Sequence, residues 1–403
     1  MPSCHVCGST GVHELMGATS IVGVSSDCIP LASGQRLAVC LSCGTIVTIL
    51  SDAWRELCRD IYEGYEAYRQ AAGSEDLVFT GQGSSRGRSG RIIDLCASEL
   101  GGTKRPWLDF GCGNGTFLRS VSERFPGQRL VGMEFDDHVR DEIIGIPGVL
   151  GLITSWDSDL AQDLGVISMI HVLEHIEDPR ALLKRVWEKL TPGGALIVEV
   201  PHIWTNPYAL TVSDHATHFG TASLSRLVES AGFDVAWIAA DEVPGEITLV
   251  ARRPFGRVDA RESPAKWQLD QANSADRVLD APMPQRLVDG LIATSEWLAE
   301  QRAANETLGI LGTSIAGTWA AATIDLQHDL WVDEDPARAG LAWLGKRVYT
   351  PGDVPSGTQV LAVLAPSKAR SAAGRLAASF PQFTIAVPPE LGGSFKSSDL
   401  LGW

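Results

Sequence analysis

The stretch Trp107-Leu108-Asp109-Phe110-Gly111-Cys112-Gly113-Asn114-Gly115-Thr116-Phe117-Leu118 constrains the fold more tightly than any other. An apolar run closing on a carboxylate, then a turn with glycine at alternate positions, then a renewed apolar pattern predicts a strand ending at Asp109, a turn, and a helix starting near Thr116. Glycines at 111, 113 and 115 let backbone N–H groups approach a ligand, and the helix N-terminus favours an anionic group. A dinucleotide fingerprint would place a third glycine where Thr116 stands. It would also leave Asp109 repelling a pyrophosphate. A carboxylate in this place suits a ligand with a positive group, such as an ammonium.

A second acid falls where the next strand should end, in Leu130-Val131-Gly132-Met133-Glu134-Phe135, placed to accept the two hydroxyls of a ribose. Val166 to Ile170 leads into His171-Val172-Leu173-Glu174-His175-Ile176-Glu177-Asp178-Pro179, and Leu190-Thr191-Pro192-Gly193-Gly194 turns into a late apolar strand ending at Pro201. These four pieces, in this order, resemble the class I S-adenosylmethionine-dependent methyltransferases. The resemblance implies a Rossmann-like sheet binding S-adenosylmethionine through Asp109, Gly111, Cys112, Gly113, Gly115, Glu134, Phe135, Thr154 and His171.

At 403 residues the chain has room for two or three domains. Its net charge of −16 disfavours nucleic acid or an anionic membrane surface as partner, though a local basic patch could still take a small anion. No apolar run has the length of a membrane span, and the N-terminus lacks the pattern of a signal peptide, so a cytoplasmic location is expected. In a reducing compartment the eight cysteines are expected as thiols or metal ligands. Four of them form two knuckles, Cys4-His5-Val6-Cys7-Gly8 and Cys40-Leu41-Ser42-Cys43-Gly44. A two-residue gap lets both thiolates of a knuckle reach one tetrahedral ion, so Cys4, Cys7, Cys40 and Cys43 are expected to hold a structural Zn2+, with His5 a bystander. Two strand-like arms, Gly23 to Ala32 and Arg36 to Val39, lie between the knuckles.

Tyr62, Tyr65 and Tyr68 share one side if the chain there is helical, a spacing that suits packing. The segment Gly81 to Arg91 carries Arg86, Arg88 and Arg91 among glycines and serines; a solvated linker and a phosphate-meeting loop are both open. Ile92 to Leu100 reads as a helix, as does Ser223 to Phe233, and Asp241 to Arg253 alternates toward strand. From Pro264 to Glu306 the pattern is helical, with a break at Pro282-Met283-Pro284. Then a second strand, glycine turn and helix begins at Leu308, with further strands at Leu330, Gln359 and Phe383. This Rossmann-like half could be a nucleotide site or a docking and substrate-shaping domain.

Paired-cysteine knuckles, a methyltransferase core and a glycine-turn α/β tail, in that order, resemble the sugar C-methyltransferases that act on nucleotide-linked keto-deoxysugars. The architecture expected is α/β: a zinc-ribbon-like domain over 1–66, a class I methyltransferase domain over 67–256, and a smaller Rossmann-like substrate or docking domain over 257–403. In the tail the family's G-x-x-x-K-G turn and D-x-N-P-x-K-x-G run fall on Gly312 to Gly317 and Asp333 to Gly340, with Ala316, Asp335 and Arg338 in place of lysine, asparagine and lysine. The family's Y-H-E-H-x-x-x-F falls on Val212-Ser213-Asp214-His215 and Phe219, and its A-H-I/V on Glu174-His175-Ile176.

The resemblance implies C-methylation beside a ketone of a nucleotide-linked sugar. His215 would be the base that removes the α-proton, and Asp214 would orient it or share in proton transfer. His175 would either stabilise the enolate oxygen or serve a structural or substrate-contact role. Two other readings stand beside this one. One is O- or N-methylation of another small molecule, and the other is a degenerate methyltransferase acting as a binding partner, which intact Asp109, Gly111, Gly113 and Glu134 disfavour.

Overall fold

The computed structural model describes residues 2–32, 34–75, 77–79, 85–100, 104–240, 242–255, 282–325 and 329–389. The N-terminal cysteines sit on a small antiparallel sheet of Val12–Glu14, Leu37–Cys40 and Ile46–Thr48, whose fourth strand, Thr217–His218, arrives from far down the chain. The first expected arm folds as a hairpin of Gly23–Val24 with Pro30–Leu31, and the second is the Leu37–Cys40 strand. Helix α1 (Asp52–Glu63) follows, its first turn capped by Ser51, which accepts the Trp54 N–H. It stops at Gly64, so Tyr65 and Tyr68 lie beyond the helix and do not continue a helical stripe. The arginine-rich segment is no plain linker: Ser85–Gly87 pairs with Leu77–Phe79, and Arg88 opens helix α2 (Arg88–Leu100) four residues before the expected start.

The central sheet is built from β1 (Trp107–Phe110), β2 (Leu130–Met133), β3 (Val149–Ile153), β4 (Leu164–Ile170), β5 (Leu190–Pro201), β6 (Asp234–Ala240) and β7 (Glu246–Arg252). Its spatial order is β3-β2-β1-β4-β5-β7-β6, parallel through β5, with β7 antiparallel to both its neighbours. The order reverses between β1 and β4, and the crevice at the carboxyl ends of strands at such a reversal is where a ligand binds in open α/β sheets. Helix α3 (Thr116–Arg124) starts as the glycine turn predicts. Helices Pro179–Lys189 (α4) and Thr221–Ser230 (α5) pack on each other, and Leu183, Val186, Leu224 and Leu227 reach the sheet core. The stretch expected to alternate from Asp241 resolves into β7, buried over all but its last residue; β6 before it went unforeseen because its residues are only part-buried.

Residues 256–281, where the expected boundary at 256 and the first part of the expected helical stretch fall, lie outside the described residues, as do 80–84. Helix α6 (Pro282–Ala304) begins at the two prolines that suggested a break, since proline is tolerated in a helix's first turn. A six-stranded sheet follows, of β8 (Leu308–Leu311), β9 (Leu330–Val332), β10 (Ala342–Trp343), β11 (Lys346–Tyr349), β12 (Gln359–Leu361) and β13 (Thr384–Ala386). Its order is β10-β11-β9-β8-β12-β13, parallel except at β10, with helices α7 (Ile315–Ile324) and α8 (Pro366–Ser379).

One hydrophobic cluster joins the three parts. Val24 and Leu37 of the ribbon, Ile203 and Tyr208 after β5, Leu287 and Leu291 of α6, and Trp319 and Trp331 of the tail belong to it. The Tyr208 and Trp319 rings lie 5.5 Å apart. Burial of this kind, at about 25 cal/mol per Å² of apolar surface, is what fixes the tail against the central sheet and encloses the cavity between them.

Candidate active site

The carboxyl ends of β1, β2 and β4 open into a cavity of about 970 Å³, walled on its other sides by the tyrosine segment and by the tail. Gly111, Cys112, Gly113, Glu134, Phe135, Thr154 and His171 all line it, together with Asp109. Gly115 does not; its φ of +81° forms the N-cap of α3, and a Cβ there would come within 2.6 Å of Ile143. Gly111 has a φ of +72°, and an added Cβ would stand 2.4 Å from Val172, so the turn closes only because no side chain is there. Asp109 is fully buried and accepts a hydrogen bond from Ser168 at 2.6 Å. Burial lifts its carboxyl to about 7, against the pull of Ser168, with Glu134's charge adding to the rise. Glu134 accepts the N–H groups of Gly113 and Phe135, one on each oxygen, which fixes the carboxylate at the end of β2 and leaves lone pairs for a ligand's hydroxyls. Glycine turn, buried acid and fixed second acid fit the amino-acid tail and ribose of S-adenosylmethionine.

The other expected residues meet deeper in the cavity. The His175 and His215 rings stand 4.7 Å apart at 83°, and both line it. Asp214 lies behind them and turns its side chain to His175, with Nδ1 to Oδ2 at 3.2 Å. Nδ1 also faces the Asp214 carbonyl oxygen at 3.2 Å; two acceptors require it to carry a proton. Burial alone would lower the pKa of His175, but the bonded Asp214 carboxylate outweighs it and the net shift is upward. Burial would likewise raise Asp214, yet His175 and two donors from Ser26 hold it below its usual range. His215 goes the other way: burial first, then the positive charge of His175, push it well below the usual imidazole value. The pKa values of the two histidines are thus driven in opposite directions. His218 packs beneath, buried, its pKa pushed down by burial to about 3.

The tyrosines that line the cavity carried no functional signal in the sequence, while Arg88 and His171 did. Tyr62 places its hydroxyl 3.2 Å from His175 Nδ1, and Tyr65 and Tyr68 line the same wall. Arg88 is largely buried and donates to the Tyr68 hydroxyl at 2.9 Å. Arg91 instead pairs with Glu242 at 2.7 Å, near the surface, and the side chain of Arg86 lies outside the described residues. His171, with φ of +54°, stands among three carboxylates, Glu174 at 3.3 Å, Glu246 at 3.5 Å and Glu199 at 3.6 Å. Burial and Arg88 lower its pKa, but the three acids outweigh both and lift it to about 10. Arg88 also comes within 3.0 Å of Nε2, a contact that would suit a neutral ring; three acids against one guanidinium favour the imidazolium. Both carboxylate oxygens of Glu174 are buried without a hydrogen-bond partner, so charge attraction to His171 is what compensates them.

Gly312, Ser314, Asp333, Asp335, Arg338 and Lys368 give the tail's side of the cavity. Asp333 accepts the Thr313 N–H at 3.1 Å and meets Arg338 at 3.3 Å, while Arg338 also faces Asp335 at 3.7 Å. Arg338 thus stands between two buried aspartates in an internal ion cluster. On the ribbon, Cys4 and Cys43 stand 3.5 Å apart, as do Cys7 and Cys40, and all four sulfurs lie within 4.8 Å of one another. Thiolates at about 2.3 Å from a zinc ion define a tetrahedron with edges of about 3.8 Å, so the four residues fit the ion. Each knuckle ends in the same turn, with Gly8 donating to the Cys4 carbonyl at 2.9 Å and Gly44 to that of Cys40 at 2.8 Å.

Among the described residues no helix is long and apolar enough to cross a membrane. Solved structures that match part of the chain include a putative S-adenosylmethionine-dependent methyltransferase from Listeria monocytogenes, 14% identical over 41% of this chain and 99% of that one, with a TM-score of 0.33. Curated relatives include two trans-aconitate 2-methyltransferases: one from Acidovorax ebreus, 30% identical over 28% of this chain and 45% of its own length, and one from an Acidovorax species, 31% identical over 27% and 43%. The chain thus spans less than half the length of these relatives. Residues 85–236 match the family model of a methyltransferase domain, a range that takes in β1 to β5 and the histidine-bearing loops. That range is a class I, S-adenosylmethionine-dependent methyltransferase domain.

Proposed function

We propose that the protein methylates a carbon beside a ketone on a nucleotide-linked deoxysugar. The observation that carries the reading is the pair of buried neighbouring histidines with pKa values driven apart, since such a split assigns acid and base. S-adenosylmethionine, when bound, supplies an electrophilic methyl group on sulfonium. His215, neutral at pH 7, accepts the α-proton of the ketone. His175, its imidazolium form favoured by Asp214, donates to the ketone oxygen as it takes up the enolate charge. Tyr62, Tyr65 and the tail wall keep water from the carbanion. In this reading the tail over 257–403 shapes the acceptor site, and one zinc ion on Cys4, Cys7, Cys40 and Cys43 holds the unit 1–66 without entering the chemistry.

The test is solvent-deuterium exchange at the α-carbon together with S-adenosylhomocysteine release, on a panel of nucleotide-linked keto-deoxysugars. His215→Asn should lower both by roughly 10²–10⁴ while cofactor affinity holds. His175→Asn should lower both less steeply. Undiminished exchange in His215→Asn moves the base elsewhere.

A second reading is methylation of an oxygen or nitrogen on another small molecule, with His215 only positioning the acceptor. The name shared by the matching relatives favours keeping it, and trans-aconitate is the probe for that arm. Methyl transfer with no exchange selects it.

A further inference from the structure

The loop that carries Asp214 and His215 is fastened chiefly by the ribbon. Its end, Thr217–His218, is the ribbon sheet's fourth strand, paired with Ile46 and Val47. Thr48 donates its hydroxyl to the His215 carbonyl at 2.6 Å and its N–H to that of Ala216 at 2.9 Å. The Ser213 N–H donates to the Val24 carbonyl at 2.9 Å, and Trp54 of α1 donates its indole N–H to the Ser213 carbonyl at 2.8 Å. Backbone ties of this kind fix where a loop sits, but they do not aim a side chain.

One contact does aim a side chain. Ser26, at the tip of the hairpin between the knuckles, lines the cavity and grips the Asp214 carboxylate with two donors. Its N–H reaches Oδ1 at 2.9 Å and its hydroxyl reaches Oδ2 at 2.6 Å. Oδ2 is also the oxygen facing His175 Nδ1. The hairpin tip is braced in turn: Ser25 donates its hydroxyl to Asp27, which is buried and accepts from Arg69 at 2.9 Å. Two donors on the two oxygens of a fully buried carboxylate leave it one orientation, and that orientation sets the plane of the imidazole it holds.

We propose that Ser26 is a positioning residue of the methyl-transfer site, clamping Asp214 and through it His175, so that the cysteine ribbon is a working wall of the active site. A ribbon serving only as a stabilising module would need no polar group in the cavity and no bond to an active-site carboxylate. The proposal rests on the reading of His175 as a group that acts on the acceptor. Its test reads His175 directly, so failure to find the acceptor leaves the test intact.

The experiment follows the His175 Nδ1–H by nitrogen-15 NMR of the full chain labelled at histidine, the signal assigned by its loss in His175→Asn. In the wild type this proton, shared with Asp214, should exchange slowly with water. Ser26→Ala should speed its exchange roughly tenfold, the scale of one lost hydrogen bond to a charged group, and Ser26→Thr, which keeps the hydroxyl, should restore it. Calorimetry with S-adenosylmethionine should give the same affinity for all three proteins, which shows that the fold is kept. Should Ser26→Ala lose cofactor binding, Ser26→Cys carries the test, since a thiol fills the same place but donates weakly to the Asp214 carboxylate, and exchange should again rise. Wild-type exchange in the variant read, or Ser26→Thr no better than Ser26→Ala, overturns the assignment.

Discussion

Asp109 shows how much a single buried side chain can set. With its carboxyl lifted to about 7 by burial, it is close to half protonated at neutral pH before any ligand arrives. A cationic group beside it favours the carboxylate and lowers that pKa, so binding releases a proton whenever the pH lies below about 7. Affinity for S-adenosylmethionine should therefore be full above neutrality and fall as pH drops through 7, by up to roughly tenfold per unit. Asp109→Asn should bind more weakly at pH 8 and lose this slope. Calorimetry between pH 6 and 8 measures both, and a flat wild-type profile would remove Asp109 from the ammonium's surroundings. The acid itself was legible in the sequence, as a carboxylate closing a strand before a glycine turn. Its protonation was not, because that follows from burial by elements distant in sequence, while the hydroxyl that opposes it, from Ser168, lies on a strand 59 positions later.

Elements were legible where the signal is local. The strand, glycine turn and helix around Gly111 have their own periodicity and their own stop, and they fold as expected. Gly111→Ala should cost about 1–3 kcal/mol of stability, since alanine resists a positive φ and its Cβ would meet Val172, a side chain stiff at χ1. Gly113→Ala, whose Cβ would find its nearest neighbour at 3.4 Å, should cost less. Urea unfolding of the two variants separates the steric part from the backbone part, and equal costs would show that Val172 yields. Elements decided by distant partners were not legible. The two-residue strand Thr217–His218 has no pattern of its own; it is a strand because Ile46 and Val47 lie beside it. Tyr62 read as packing because nothing in its neighbourhood announces His175, 113 positions away. The pairing of Asp214 with His175, in place of its sequence neighbour His215, is likewise a fact of tertiary structure.

For the whole molecule, the order of the parts was legible and their mutual service was not. Two knuckles, a methyltransferase sheet and a second α/β sheet follow one another along the chain, yet all three regions contribute to one cavity and one hydrophobic cluster. Metal analysis of freshly purified reduced protein should find one zinc ion per chain. Because structural zinc binding is folding free energy, its removal by a strong chelator should lower the melting temperature by roughly 10 °C or more. An unchanged melting curve after complete removal would mean that the four thiols suffice without the ion.

The fourth strand of the ribbon sheet also bears on how the chain is made. Synthesis runs from the N-terminus, so both knuckles have left the ribosome long before Thr217 and His218 exist. Until then the Ile46–Thr48 strand has an unpaired edge, the kind of surface that invites pairing with another chain. Closing it needs a contact spanning about 170 residues, so the fourth strand can join the ribbon sheet only once Thr217 and His218 have been made. A nascent chain halted before that point would carry four clustered thiols on an unfinished sheet.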